Sequence, residues 1–228
     1  MKTSVIIAAA GVGTRFDENT PKQFAKLGDK EMIVHTIAAF QNSDKIDSIV
    51  VATHIDWFSH VKKLVEDNNF TKVTDVIIGG KTRQDSVGTA LKTEVVKESE
   101  LLLTHDAARP FVSLELIDRI IEEVEDYGAV VPYTNPGDTL KEHRASSVVK
   151  TLDRSKIALA QTPQAFWTDV FITAHDRARD LNVQATDDAA LVEMMGYKVQ
   201  LVAGEAENIK ITTPFDLYVA EAIIRSKA

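Results

Sequence analysis

Gly11-Val12-Gly13-Thr14-Arg15 follows a run of small and apolar residues, and Pro21-Lys22-Gln23 comes soon after. Two glycines after a buried strand let the backbone approach a ligand, so that N–H groups can point at phosphate oxygens. Arg15 and Lys22 would add two cations, and a backbone cradle with two cations suits a polyphosphate. The plainer reading is a tight strand-to-helix turn. Two familiar phosphate loops do not fit. The dinucleotide fingerprint needs a third glycine where Phe16 stands. Gly80-Lys81-Thr82 resembles the end of a Walker A loop, but Asp75 occupies the place of its leading glycine.

Further candidates lie downstream. Asp106, in His105-Asp106-Ala107-Ala108-Arg109-Pro110, is either a metal or hydroxyl ligand or the ion-pair partner of Arg109. Beside a polyphosphate a single carboxylate suits a divalent metal that keeps several waters, and the planar fork of Arg109 suits a phosphate. Gly79-Gly80 would leave room for a base or ribose, with Ser86 either donating to it or capping the next helix. Asp138-Thr139 and Arg154 read by default as solvated surface, Thr162-Pro163-Gln164 as a turn, and Asp187-Asp188 as a charged first helical turn. Lys210, between Ile209 and Ile211 on a short extended piece, reads as an edge or surface lysine unless a ligand lies near it. The histidines have no metal-ligand spacing.

The elements that must position these residues alternate. Apolar strands are expected at Val5 to Ala10, Ile49 to Ala52, Val76 to Ile78, Leu101 to Leu103 and Ala129 to Pro132, and a further strand at Val199 to Val202. Helical spacing marks Met32 to Phe40, Trp57 to Val65, a helix starting at Ser86, a Ser113-capped helix to Tyr127, Asp169 to Asn182, and a short helix capped by Thr186. Thr213-Pro214 opens a last helix. This alternation predicts an α/β fold with a doubly wound, mostly parallel sheet. Ligands in such sheets bind beyond the carboxyl ends of the strands. Gly11 to Arg15, Gly79 to Ser86 and His105 to Arg109 all fall there, and that shared position favours a nucleotide site. Residues 133–157 are polar and alternating, and read as a hairpin-like arm. Such an arm buries no core alone, so a partner subunit is expected to cover it; the alternative is a hairpin lying on its own domain. The expectation is one domain over 1–228 carrying that arm.

At 228 residues, 44% apolar and 26% charged, the chain has the composition of a globular protein with a substantial core. A net charge of −8 argues against general binding to nucleic acid or anionic membranes, so any anion site must be a local basic island. The absence of cysteine excludes disulfides, thiolate metal sites and cysteine nucleophiles. No signal peptide and no apolar run near the ~20 residues of a membrane span are visible, so a cytoplasmic protein is expected. The sequon at Asn69 is read as chance.

Taken together in this order, Ala8 to Arg15 with Pro21-Lys22-Gln23, Gly79-Gly80 through Ser86, His105 to Pro110, Asp138-Thr139-Leu140-Lys141, Gln161 to Gln164 and Asn208-Ile209-Lys210 carry a resemblance. The chain is similar, over nearly its whole length, to the 2-C-methyl-D-erythritol 4-phosphate cytidylyltransferases of the non-mevalonate isoprenoid route. The resemblance implies that Ala9, Ala10, Gly11 and Gly13 line a CTP site through their backbone, with Arg15 and Lys22 on the triphosphate. It implies that Gly80, Lys81 and Ser86 recognise cytosine, and that Asp106 lies beside Mg²⁺-bound phosphates and the substrate. Arg109, Thr139, Arg154 and Thr162 would hold the methylerythritol phosphate, with Arg154 reaching in from the arm of a homodimer partner. Lys210 would face the reacting α-phosphate. Glu207 departs from the family's aspartate before Asn-Ile-Lys, which puts the reach of that carboxylate in doubt.

Ribitol-5-phosphate cytidylyltransferases share the front and back motifs and are the nearest rival; Ala108 and Gly137 to Lys141 fit the methylerythritol branch better. A nucleotide-binding module without turnover would be expected to lose Lys22 or Lys210 while keeping the glycines, and both lysines are present. An NAD-linked dehydrogenase is disfavoured by Phe16.

Overall fold

The computed structural model describes residues 1–11 and 21–227. Strand β1 (Thr3–Ala9) is followed, from Lys22, by a 3₁₀ turn, a small hairpin of β2 (Lys26–Leu27) and β3 (Lys30–Glu31), and helix α1 (Met32–Gln41). Then come β4 (Ser48–Thr53), α2 (Phe58–Asp67), β5 (Val73–Ile78), α3 (Arg83–Ala90), the short α4 (Glu94–Lys97) and β6 (Leu101–Asp106). α5 (Leu114–Tyr127) and β7 (Ala129–Thr134) precede an excursion built on β8 (Lys141–Arg144) and β9 (Ser147–Thr151). The chain returns through β10 (Leu159–Ala160) and β11 (Gln164–Trp167) to α6 (Thr168–Asp180), α7 (Asp188–Met194), β12 (Gln200–Ala203) and α8 (Pro214–Lys227).

Among the described residues one sheet runs in the order β10-β7-β11-β6-β1-β4-β5, with β12 paired to β7. β1 is parallel to both β4 and β6, β4 to β5, and β12 to β7. The expected doubly wound, mostly parallel α/β sheet is therefore present. β10 and β11 depart from it: both run antiparallel to β7, and β11 is inserted between β7 and β6.

Strands of a sheet covered on both faces need apolar side chains in both directions, which explains their unbroken apolar runs. Val5, Ile7, Ile49, Val51, Leu101 and Leu103 face one buried layer with α1, α2 and α5. Ile6, Val50, Leu102 and Phe166 face the opposite layer with α3, α6 and α7. α5 shows how the local sequence builds such a layer. Leu116, Ile117, Ile120, Ile121 and Val124 are its buried stripe. The Ser113 hydroxyl accepts the Leu116 N–H at 3.0 Å, and Gly128, at φ 77°, takes the left-handed turn that ends the helix.

Several local expectations are corrected. α3 begins at Arg83 and is capped by Thr82, not Ser86; Thr82 and Asp85 exchange the reciprocal bonds of a capping box. α7 is capped by Asp187, not Thr186, because the Asp187 carboxylate accepts the Ala190 N–H at 3.1 Å. Residues 208–211 form no strand; they follow a turn, and the Ile211 N–H donates to the Ala108 carbonyl at 2.9 Å. β8 and β9 form a two-stranded hairpin separate from the main sheet, and every residue of both strands is exposed.

Candidate active site

Ala8 to Gly11, the 79–82 turn and Asp106 stand at the carboxyl ends of β1, β5 and β6. With Lys22 and Lys210 they enclose a cleft of about 270 Å³. A larger cleft of about 700 Å³ lies between α3 and α6, away from those strand ends, and gathers none of these groups. The smaller cleft is where the chemistry converges.

Its floor is made of close approaches. A Cβ on Gly79 would lie 2.6 Å from the Ala10 Cβ and 2.7 Å from the Ser86 Oγ, so no larger residue fits there unless the turn moves. On Gly80 it would collide with the Asp85 Cβ. The buried Ser86 hydroxyl donates to the Thr82 carbonyl at 2.8 Å and accepts the Gly80 N–H at 3.1 Å, so it holds the shape of the turn as well as lining the cleft. Gln23 has a similar task that its motif did not reveal. Its buried side-chain amide donates to the carbonyls of Ala9 (2.7 Å) and Gly11 (2.9 Å), pinning the end of β1. Gly13 and Arg15 lie outside the described residues.

One wall is a chain of alternating charges. Asp106 is buried, with Oδ1 accepting from Arg83 Nε at 2.7 Å and Oδ2 lying 2.6 Å from Lys210 Nζ. Arg83 reaches the other way from its Nη1 to Asp188 Oδ2, at 2.6 Å, on the first turn of α7. Burial alone would raise the Asp106 pKa, but the charges of Arg83 and Lys210 outweigh it and hold the carboxyl well below the usual range. For Arg83, burial works against the charge, and Asp188 and Asp106 overcome it, raising its pKa. Lys210, with its side chain 41% exposed, is the most open member of this chain, and Arg83 is half-buried at the cleft wall.

Behind Asp106 lies a supporting layer. Thr162, in the interruption between β10 and β11, accepts the Asp106 N–H at 3.1 Å and lies 3.1 Å from His105 Nδ1. His105 Nε2 is 3.0 Å from the Arg109 carbonyl, and burial pushes the His105 pKa down to about 4. Arg109 is nine-tenths buried. Its Nη1 donates to the Asn208 carbonyl at 2.7 Å and its Nε lies 4.0 Å from Asp106 Oδ2, so it fastens the turn that carries Lys210. Asn208 is wholly buried and donates to the Thr162 carbonyl at 2.9 Å.

The structure thus brings together Ala9, Ala10, Gly11, Lys22, Gly80, Lys81, Ser86, Asp106 and Lys210, with Arg109 and Thr162 directly behind. Thr139 and Arg154 are not part of this cleft. Both are exposed beside the hairpin, and Arg154 Nη1 donates to the Gly137 carbonyl at 3.0 Å. Glu207 pairs with Lys227 of α8 at 2.6 Å, both side chains more than half exposed. Arg83, Asp188 and Gln23 are the residues that reading the motifs had missed. Asp188 carried only the signal of an acidic helix start, and what distinguishes it is its partner in space.

Among the described residues no cluster of three or more histidines, cysteines or carboxylates could by itself hold a metal ion. Asp106 is the carboxylate lining the cleft. One carboxylate fits a Mg²⁺ that takes its remaining ligands from nucleotide phosphates and water.

A cleft at the strand ends, floored by backbone and flanked by lysines, has the chemistry to bind a nucleotide's phosphates, as a nucleotidyltransferase must. The family model for 2-C-methyl-D-erythritol 4-phosphate cytidylyltransferase matches residues 3–226. Proteins of that name from Chlorobaculum parvum and Prosthecochloris aestuarii are 42% and 40% identical; each match covers 98% of this chain and, respectively, 96% and 97% of theirs. The crystal structure of the enzyme of that name from Thermus thermophilus superimposes with a TM-score of 0.83 at 37% identity, covering 99% of this chain and all of the other. A 4-diphosphocytidyl-2C-methyl-D-erythritol synthase from Anaerococcus prevotii gives 0.85 at 30% identity, covering 98% of each. The chain belongs to the 2-C-methyl-D-erythritol 4-phosphate cytidylyltransferase family.

Proposed function

We propose that the cleft beneath β1, β5 and β6 is the CTP site and that the reaction there is a single in-line displacement. The reaction transfers CMP from CTP to 2-C-methyl-D-erythritol 4-phosphate, giving 4-diphosphocytidyl-2-C-methyl-D-erythritol in non-mevalonate isoprenoid precursor synthesis. A phosphate oxygen of the acceptor forms the new bond to the α-phosphorus, and the bond to the bridging oxygen breaks as pyrophosphate leaves. Two anions must meet, and neither a covalent intermediate nor a strong base is required. Positioning and electrostatic stabilisation therefore do most of the work.

The observation that carries this reading is the convergence of Lys22, Lys210 and Asp106 on the backbone of Ala9 to Gly11 and Gly80. In the proposal Arg15, Lys22 and Lys210 are the catalytic cations, countering the charge that grows on the pentacoordinate phosphorus. The backbone of Ala9, Ala10, Gly11 and Gly13 binds the triphosphate, while Gly80, Lys81 and Ser86 leave a slot sized for cytosine. Asp106 faces the acceptor's phosphate, with Arg109 and Thr162 supporting it from the layer behind rather than lining the cleft. Bound Mg²⁺ would neutralise part of the triphosphate charge; Asp106 is the side chain beside which it would sit. Thr139 and Arg154 would complete the acceptor site in a homodimer, through the 133–157 arm of a second copy. The expected compartment is the cytoplasm, where CTP is made and used; among the described residues no helix is long and apolar enough to cross a membrane.

The test is pyrophosphate release with CTP and Mg²⁺, comparing methylerythritol 4-phosphate with ribitol 5-phosphate. Turnover with the former alone is the expected result. Turnover with ribitol 5-phosphate alone would overturn the acceptor assignment, and CTP binding without turnover of either would overturn the catalytic reading.

A further inference from the structure

Asp188 stands on α7, remote in sequence from every motif that lines the cleft, yet it is the far end of the charge chain that reaches Lys210. Its residue is 1% exposed, and Oδ2 takes the Arg83 Nη1–H at 2.6 Å. Its other oxygen, Oδ1, lies 4.0 Å from His175 Nε2; burial lowers the His175 pKa, so this ring is neutral at neutral pH. The carboxylate is not needed to hold its helix. Gln164 already grips that turn, accepting the Ala189 N–H at 2.9 Å and donating to Asp187 Oδ2 at 2.8 Å. Asp187 provides the cap, while Leu191 and Val192 are buried in the core.

We infer that Asp188 is a positioning residue for the transfer reaction: by clamping Arg83 from behind, it presents Asp106 to Lys210 in one fixed orientation. The argument is one of charge and geometry. Arg83 bridges two carboxylates through different nitrogens, Nε to Asp106 and Nη1 to Asp188, and a planar guanidinium held at both points cannot rotate. Asp106 then has one oxygen committed to Arg83 and the other directed at the lysine that opens onto the cleft. Without Asp188, Arg83 would be a half-buried cation with one counter-charge and freedom to swing. Asp106 would follow it, and the Lys210 ammonium would lose its fixed point. A group held to the geometry of the transition state affects turnover more than ground-state binding.

This inference rests on the reading of the cleft as the CTP site with Lys210 at the reacting phosphate, and the experiment separates the two. Steady-state kinetics would be measured for Asp188→Asn, Asp188→Glu, Lys210→Ala and the double variant Asp188→Asn/Lys210→Ala, each with its thermal midpoint. Asp188→Asn is expected to lower kcat about tenfold while KM for CTP stays within about twofold, with partial recovery in Asp188→Glu. In the Lys210→Ala background Asp188→Asn should change kcat by less than about twofold, because both act on the same interaction. Loss of Tm with kcat preserved, a KM for CTP that rises with the kcat loss, or independent, multiplying losses in the double variant would each overturn the inference. If Asp188→Asn does not fold, Arg83→Lys replaces it in the same cycle, since lysine keeps the charge but lacks the rigid planar donors that fix both carboxylates. Wild-type turnover in Lys210→Ala would instead sink the site reading itself.

Discussion

Asp106 and Lys210 illustrate how this site keeps a carboxylate charged where burial would neutralise it. The carboxylate is out of water, yet cations on both oxygens keep it ionised. Lys210 is paired with Asp106, so in the proposed CTP site a triphosphate would compete with that carboxylate for it. Lys22→Ala and Lys210→Ala should each lower turnover by roughly 10²–10³-fold, about 3–4 kcal/mol, by comparison with other electrostatic donors. Pyrophosphate release reads this directly, and near-wild-type turnover in either variant would remove that lysine from the mechanism. His105 allows a different test. Its folded pKa of about 4 lies below its ordinary 6.5, so between those values the unfolded chain binds a proton that the folded chain refuses. The stability it contributes is complete above pH 6.5 and is lost as pH falls toward 4; the shift corresponds to about 3 kcal/mol. His175 is shifted in the same direction, while Asp106 yields only at more acidic pH. Urea unfolding at pH 7.5 and pH 5 should show a smaller acid loss in His105→Gln than in wild type, and equal losses would refute the linkage.

The turn joining β5 to α3 does its work through what it leaves out. With the Gly79 Cβ position already crowded by Ala10 and Ser86, Gly79→Ala should cost about 1–3 kcal/mol of stability, as overpacking does. It should also raise KM for CTP, since relief requires moving the β1 or α3 side of the cleft. Urea unfolding and KM for CTP would check both; unchanged values in both would mean the turn yields freely. At this same scale the sequence was readable in some places and opaque in others. The central parallel strands β1, β4 and β6 were visible because burial on both faces leaves an unbroken apolar run, and α5 because its stripe, cap and terminal glycine agree. The glycine clusters announced the strand ends for the same local reason. By contrast, β11 is four residues long and owes its existence to two strands far from it in sequence, so no local pattern marks it. Thr82 rather than Ser86 caps α3 because the capping box lies one turn earlier. Asp187 and Thr186 are both competent caps, and tertiary packing chose between them. Arg83 and Asp188 are separated by 105 positions and read singly as ordinary charges.

For the molecule as a whole the hairpin of β8 and β9 is the part without a core. Val148 and Val149 are 61% and 57% exposed on it. Two strands bury too little to be stable alone, which supports the proposed second copy. Light scattering should report a dimer, and Val148→Glu with Val149→Glu should shift it to monomer and reduce turnover, if Arg154 acts across the interface. A monomeric wild type with full activity would refute the arrangement.

The insertion of β11 between β6 and β7 also dictates an order of assembly. β1, β4, β5 and β6 can pair as soon as the first half of the chain exists, but β7, which β10 can join slightly earlier, is linked to β6 only when residues 164–167 have been made. The link just before β11 carries Thr162 to the back of Asp106, and Asp188 and Lys210 come later still. On a ribosome, where synthesis runs at about 5–20 residues per second, the triphosphate half of the cleft would be shaped seconds before its charged wall. A nascent chain could thus hold a folded sheet before the proposed catalytic wall, completed by Lys210, has been made.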